Sequence, residues 1–258
     1  MIPIYSISKP FLAEAVLALG LPLSDTIGQH LPRLAPVYAQ RTIGDLLNHR
    51  SGLDDYGRLP DYHAAVANNE PAWSRGDLLE RCAGLPHANP GFEYSNIGYL
   101  LLRMLLEQET GLSYFQSIRQ LVLEPLNISG FREWESATDV VHGYDPSWVY
   151  SGTFLGQPET IAANLTKLAI HRRETIGHSA GWKPVPYQNT GFDDPGYNYG
   201  FMADGNPARS VGHGGGGPGF GLMALVNLAT GQAALRYSAG DKFDQAAAIC
   251  DLRTELGL

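Results

Sequence analysis

"SISKPFLAEAVLALG", residues 6–20, is apolar almost all round, yet it opens on a serine and a lysine three residues apart. The chain holds four lysines in 258 residues, so one at the mouth of its most apolar helix needs a reason. Pro10 lacks an N–H and belongs in the first helical turn. That sets Ser6 at the helix N-terminus, where free N–H groups and the positive dipole end converge. Lys9 then lies one turn on, along the same face. Its apolar neighbours favour the neutral amine and lower its pKa, and a serine beside such a lysine is an activated nucleophile. The bland reading is an ordinary helix start, with Ser6 or Ser8 as cap and Lys9 solvated. Chance places a Ser-x-x-Lys about 0.23 times in a chain with this many serines and lysines, so the pair carries weight only in company.

Gly20-Leu-Pro ends the first helix. Beyond it, "TIGDLL" from Thr42 reads as a short capped helix running into the turn Ser51-Gly52-Leu53. Two short helical patterns between Asp61 and Gly84 are split by Pro71, and residues 96–122 hold two stronger helices divided by Gly111. A Gly/Pro/aromatic stretch follows at 129–157, then a helix at 158–172 and an irregular loop at 173–198. Near residue 199 the character changes to three or four antiparallel strands with turn signals such as Thr230-Gly231, and the last 16 residues read as an amphipathic helix. The fold class is α+β, an α/β sandwich with an inserted all-helical domain. Residues 1–258 form one unit, with about 1–20 plus 199–258 in the sheet domain and about 21–198 in the helical domain.

Two further elements bear on Ser6 and Lys9. "GFEYSNIGYLLL" places Tyr94-Ser95-Asn96 ahead of a long apolar helix, where Asn96 could simply cap and Tyr94 be a half-buried aromatic. "VGHGGGGPGFGLMALVNLA" sets His213 and four glycines at the entry of a strand. These could form a flexible turn, but glycines at such a place commonly mark close approach of backbone or ligand. In the order Ser-x-x-Lys, Tyr-x-Asn, His-Gly-Gly, the sequence resembles the serine β-lactamase/penicillin-binding-protein-like superfamily, closest to its class C β-lactamase and esterase-type branch. The flanks "RTIGDLLNHRSGL" and "GHGGGGPGF" resemble the same family, and the likeness runs from about Pro3 to the C-terminus.

The resemblance implies Ser6 as acylated nucleophile, with Lys9 and Tyr94 sharing proton transfer and Asn96 orienting Lys9 and the substrate carbonyl. It implies an oxyanion hole from the backbone N–H groups of Ser6 and Gly216. His213, Gly214 and Gly215 would bind substrate where lactamases and transpeptidases carry Lys-Thr-Gly. A histidine there is about one-quarter charged at pH 7, and the threonine hydroxyl is gone, which argues against strong recognition of a carboxylate. Trp148 and Tyr150 are expected as pocket walls. Only five residues precede Ser6, so the family's N-terminal sheet strands are lacking; either the sheet is smaller or a homo-oligomer covers its edge.

The expected function is a serine hydrolase acting through an acyl-enzyme on small esters or amides. The alternatives are a β-lactamase or D-Ala-D-Ala-type peptidase, and a catalytically inactive acyl-binding relative. No cofactor and no metal are implied: Cys82 and Cys250 lie far apart, without metal-site spacing. A net charge of −8, with no basic cluster beyond Arg172-Arg173, disfavours nucleic acid as partner. No leader and no run of 18 apolar residues is read, so no membrane partner is expected. The cytoplasm is favoured if Met1 is the true start, and the periplasm or exterior otherwise. His49 reads as a structural turn residue, Asp193-Asp194 as a solvated pair, and Asn127 and Asn164 as glycosylation patterns without a secretory context.

Overall fold

The computed structural model describes residues 1–85, 91–139, 144–176, 182–240 and 242–258. A two-residue strand, β1 (Ile2–Pro3), leads through a 3₁₀ turn into α1 (Ser8–Ala18). Short helices follow: α2 (Ile27–His30), α3 (Pro36–Ala39), α4 (Ile43–Leu47), α5 (Pro60–Ala67) and α6 (Arg75–Cys82). Then come α7 (Asn96–Thr110) and α8 (Tyr114–Ile118), β2 (Phe131–Arg132), β3 (Leu155–Gly156) and α9 (Pro158–Ile176). Six strands complete the chain before the last helix: β4 (Lys183–Pro184), β5 (Pro195–Asn198), β6 (Phe201–Asp204), β7 (Ser210–Gly217), β8 (Phe220–Asn227) and β9 (Ala233–Ala239), then α10 (Gln245–Glu255).

The main sheet is an antiparallel meander in chain order, β4-β5-β6-β7-β8-β9. It has six strands where three or four were expected, because β4 and β5 fall inside the stretch read as an irregular loop; residues 177–181 of that stretch lie outside the described residues. β1 does not join it but pairs with β3, beside β2, in a small separate sheet. β8 is buried along its whole length, which explains its unbroken apolar run. Leu222, Ala224 and Val226 point into the main core, and Met223 and Leu225 into a second core with Ile249 and Leu252 of α10. Period-two alternation thus serves two apolar faces, with α10 on one and α9 on the other. The outer edge of β9 has no strand partner among the described residues.

α1 runs through the core, with Ser8 to Val16 buried, and packs on α7, α8 and α9. Glu14 would be costly there alone. It accepts from Arg172 Nε of α9 at 2.6 Å and lies 3.1 Å from His171. Arg172 of the sequence's only basic pair is therefore a buried strut between helices. Asp193 is exposed, as expected of a solvated residue, and it also pairs with Arg253 and Arg209, linking the approach to β5 to α10. Asn164 is buried, donating to the Ser129 carbonyl at 2.7 Å, which removes it as a glycan acceptor in the folded chain. Among the described residues no helix is long and apolar enough to cross a membrane.

Candidate active site

Ser6 stands in the 3₁₀ turn Tyr5–Ile7, just ahead of α1. Tyr5 takes φ +44°, a left-handed conformation rare for an aromatic residue and held only where packing enforces it. Its ring is buried and meets Trp134 edge-on at 5.9 Å.

One turn on, Lys9 is wholly buried. Its Nζ lies 3.0 Å from Ser6 Oγ, 2.7 Å from Asn96 Oδ1 and 3.5 Å from Ser151 Oγ. Burial lowers its pKa to about 7, against an opposing pull from Asp55. A neutral amine has two N–H bonds and one lone pair. When Lys9 is protonated, its third hydrogen is donated to Ser6 Oγ; when it is neutral, with Asn96 and Ser151 accepting its two hydrogens, the lone pair is left for the Ser6 hydroxyl.

Asn96 is free for this because it is not the cap. Ser95 caps α7, accepting from Gly98 N–H at 3.2 Å, while Asn96 N–H donates to Asp55 Oδ2 at 2.6 Å. Tyr94 also hydrogen-bonds Ser6, and burial raises its pKa well above the ordinary phenol value. It is therefore a neutral phenol near neutral pH, not a phenolate, with a proton to give. Its ring centroid lies 5.2 Å from Lys9 Nζ.

His213 departs from expectation. It is 2% exposed, and burial together with the Lys9 charge lowers its pKa to about 3, so it is neutral at pH 7 rather than one-quarter charged. Hydrogen bonds assign its tautomer. Nδ1–H donates to the Gly214 carbonyl at 2.5 Å, and Nε2 accepts from Tyr197 O–H at 3.2 Å. Tyr197 in turn accepts from His49 Nε2 at 3.2 Å, and His49 Nδ1 accepts from Ser95 N–H at 3.1 Å. His49 is thus a buried link between the cap of α7 and β5, in keeping with the structural role expected of it.

β6 stops pairing with β7 at Gly212. Past that point the β7 edge is open to the Ser6 turn. A Cβ on Gly215 would come within 2.5 Å of the Ile4 carbonyl and 3.3 Å of Ser6 N, and one on Gly217 within 2.3 Å of the Tyr5 ring. Gly215 and Gly217 are therefore steric, letting strand and turn meet. Gly215→Ala is expected to lower kcat/KM about 10–100-fold and to destabilise by about 1–3 kcal/mol. Gly214→Ala should do less, because its Cβ would meet the movable end of Gln245. Ester turnover and urea unfolding of both variants check this; equal effects would refute it.

Ser6 and Gly216 lie where two cavities meet. The larger, about 650 Å³, is walled by Tyr94, Tyr187, Phe192, His213 and the glycines. The smaller, about 170 Å³, includes Asn96, Ser151 and Trp148. Tyr150 does not reach either; it is buried, bonds the Trp73 carbonyl at 3.0 Å and borders a separate cleft. Sequence reading passed over Asp55 and Tyr197 altogether. Asp55 sits in an Asp-x-Gly turn whose only sequence signal is the turn itself.

A profile of the family described as Beta-lactamase matches residues 1–257. Penicillin-binding protein 4* of Bacillus subtilis (strain 168) is 27% identical over 262 residues, covering 85% of this chain and 56% of that protein. A D-aminopeptidase of Brucella anthropi is 30% identical over 128 residues, covering 48% of this chain and 24% of its own length. The chain therefore spans about half or less of these curated relatives. The solved D-amino acid amidase from Ochrobactrum anthropi SV3, in complex with D-phenylalanine, superposes with a TM-score of 0.77 at 22% identity, over 99% of this chain and 91% of that one.

Proposed function

The chain belongs to the Beta-lactamase family, and from that premise we propose that it is a serine hydrolase forming an acyl-enzyme at Ser6 with small esters or amides. The observation that carries this reading is the fully buried Lys9, its Nζ 3.0 Å from Ser6 Oγ. As Ser6 attacks the carbonyl carbon, its proton passes to the Lys9 amine. The carbonyl oxygen gains charge between the N–H groups of Ser6 and Gly216, where each such donor commonly contributes about 10²–10³ in rate. Tyr94 hands a proton to the departing alcohol or amine, and a water repeats the sequence in reverse to free the acid.

The larger cavity has no Asp, Glu, Lys or Arg among its described lining residues, and its histidine is neutral. Nothing there offers a charge to a carboxylate, which favours esters and amides over β-lactams. The names of the D-aminopeptidase and D-amino acid amidase relatives support amide cleavage. A penicillin-binding reading has the longer curated match in its favour; many turnovers of a chromogenic cephalosporin per enzyme would select it. The direct test is intact-mass spectrometry after a fluorophosphonate, with p-nitrophenyl butyrate turnover alongside. One adduct at Ser6 with turnover is expected, and neither would leave an inactive relative.

Lys9 sets the pH dependence. Its amine is active when neutral, so kcat/KM should rise with pH and level off, with an apparent pKa of about 7. His213, held at about 3, contributes no limb in this range. A profile flat from pH 5 to 9 would remove Lys9 from the role of base.

A further inference from the structure

Tyr94, placed to hand a proton to the leaving group, is held at three points by one residue, His49. The His49 carbonyl accepts from Glu93 N–H at 2.8 Å, and His49 Nδ1 accepts from Ser95 N–H at 3.1 Å. The backbone is therefore pinned on both sides of Tyr94. The His49 ring also packs on the Tyr94 ring, with centroids 4.3 Å apart and planes tilted by 35°. Tyr99 packs on the same imidazole at 4.8 Å, and Tyr197 meets it edge-on at 4.7 Å.

These contacts also fix the chemistry of the ring. Burial lowers the His49 pKa well below the usual histidine value, and the Lys9 charge adds to the effect. The imidazole is neutral and carries one N–H. With Nδ1 taken up as an acceptor, that N–H sits on Nε2 and donates to Tyr197 Oη at 3.2 Å. His49 keeps this place at φ +54°, a left-handed conformation uncommon outside glycine. Strain of this kind persists where the surroundings over-determine it, and it collects at active sites. Satisfying the buried Ser95 N–H accounts for Nδ1. It does not account for a ring laid on Tyr94, or for the carbonyl bond to Glu93.

Resting on the reading of Ser6 as the acylated nucleophile, we propose that His49 is a positioning residue for Tyr94. Its Nδ1 acceptor, braced by the ring stack, sets the phenol where it can protonate the departing group. His49 lines neither cavity at Ser6, so it acts through Tyr94 and not on the substrate. Substituting it should be felt in proportion to how much the leaving group needs a proton. p-Nitrophenolate departs as an anion, whereas an alkoxide must be protonated as it leaves.

The test compares kcat/KM for p-nitrophenyl butyrate and ethyl butyrate, which share an acyl group and differ in the leaving group. His49→Phe keeps a ring but strips both nitrogens. His49→Asn keeps an acceptor for Ser95 N–H and tolerates left-handed backbone. His49→Phe is expected to lower the ethyl ester about 10–100-fold further than the p-nitrophenyl ester, and His49→Asn to narrow that gap. In a Tyr94→Phe background no phenol hydroxyl remains to be positioned, so adding His49→Phe should leave the ratio of the two esters unchanged. Equal losses on both esters overturn the role. So does a gap that reappears in Tyr94→Phe, or one that His49→Asn does not narrow. A crystal structure of His49→Phe needs no turnover: Tyr94 Oη must have moved away from Ser6 Oγ, and an unmoved phenol also overturns the role. Should that variant not fold, His49→Gly, which fits φ +54° without strain, replaces it in each comparison. Failure of the hydrolase reading shows separately, as an unlabelled Ser6 in wild-type protein.

Discussion

Ser6→Ala protein is expected to lose about 10⁴-fold or more in kcat/KM toward esters while keeping its fold. The attacking atom is gone, and what survives in such variants is the smaller contribution of binding and charge stabilisation. Stability should move by no more than about 1 kcal/mol. Ser6 is partly exposed, and Lys9 keeps Asn96 and Ser151 as acceptors. The backbone of the turn is fixed by Ile7 N–H to the Ile4 carbonyl at 3.0 Å, not by the hydroxyl. p-Nitrophenyl butyrate turnover, fluorophosphonate labelling and urea unfolding measure the three parts of this expectation. Turnover near wild type would end the acyl-enzyme mechanism. Loss of turnover together with loss of the fold would make Ser6 structural.

The parts of this site legible in the sequence are those fixed by local geometry. Ser6 and Lys9 are three residues apart on one turn, and Pro10 fixes where that turn starts, so their meeting needs no tertiary information. The same holds for Gly111, which ends α7 at φ +68°. The parts not legible depend on what surrounds a residue. Whether His213 is charged depends on burial, and burial comes from Tyr197 on β5, 16 residues away. β5 itself, "PGYN", opens with Pro and Gly and is too short to alternate; its pairing with β6 makes it a strand. Asn96 as cap and Asn96 as Lys9 acceptor are equally consistent with its place before an apolar run. The register of one residue, with Ser95 taking the cap, decides between them. Asp55 is the extreme case, since its surroundings come from five aromatic residues, three of them distant in sequence, that line the same cavity.

Lys9→Met should separate the activity of this residue from its effect on stability, with opposite signs. Activity should fall at least about 10³-fold, because methionine has no lone pair basic enough to take the Ser6 proton. Stability should rise near neutral pH. Lys9 titrates near 10.5 when unfolded and at about 7 in the fold, so between those values the unfolded chain holds a proton that the folded chain has released. Wild-type stability therefore increases with pH across this window. The penalty is greatest at and below pH 7 and gone above pH 10.5. Its full size is on the order of 4 kcal/mol. Methionine fills a similar volume and escapes that penalty, but it leaves Asn96 Oδ1 and Ser151 Oγ without their donor; both line the smaller cavity, where water can reach them, so the offset is about 2–3 kcal/mol for the two together. Urea unfolding at pH 6.5 should then find the variant more stable by about 1–2 kcal/mol, with the advantage shrinking steadily toward pH 10 and passing to wild type. A constant difference across that range would mean that Lys9 keeps its ordinary pKa in the fold. The neutral base at the centre of the proposed mechanism would then have no physical origin.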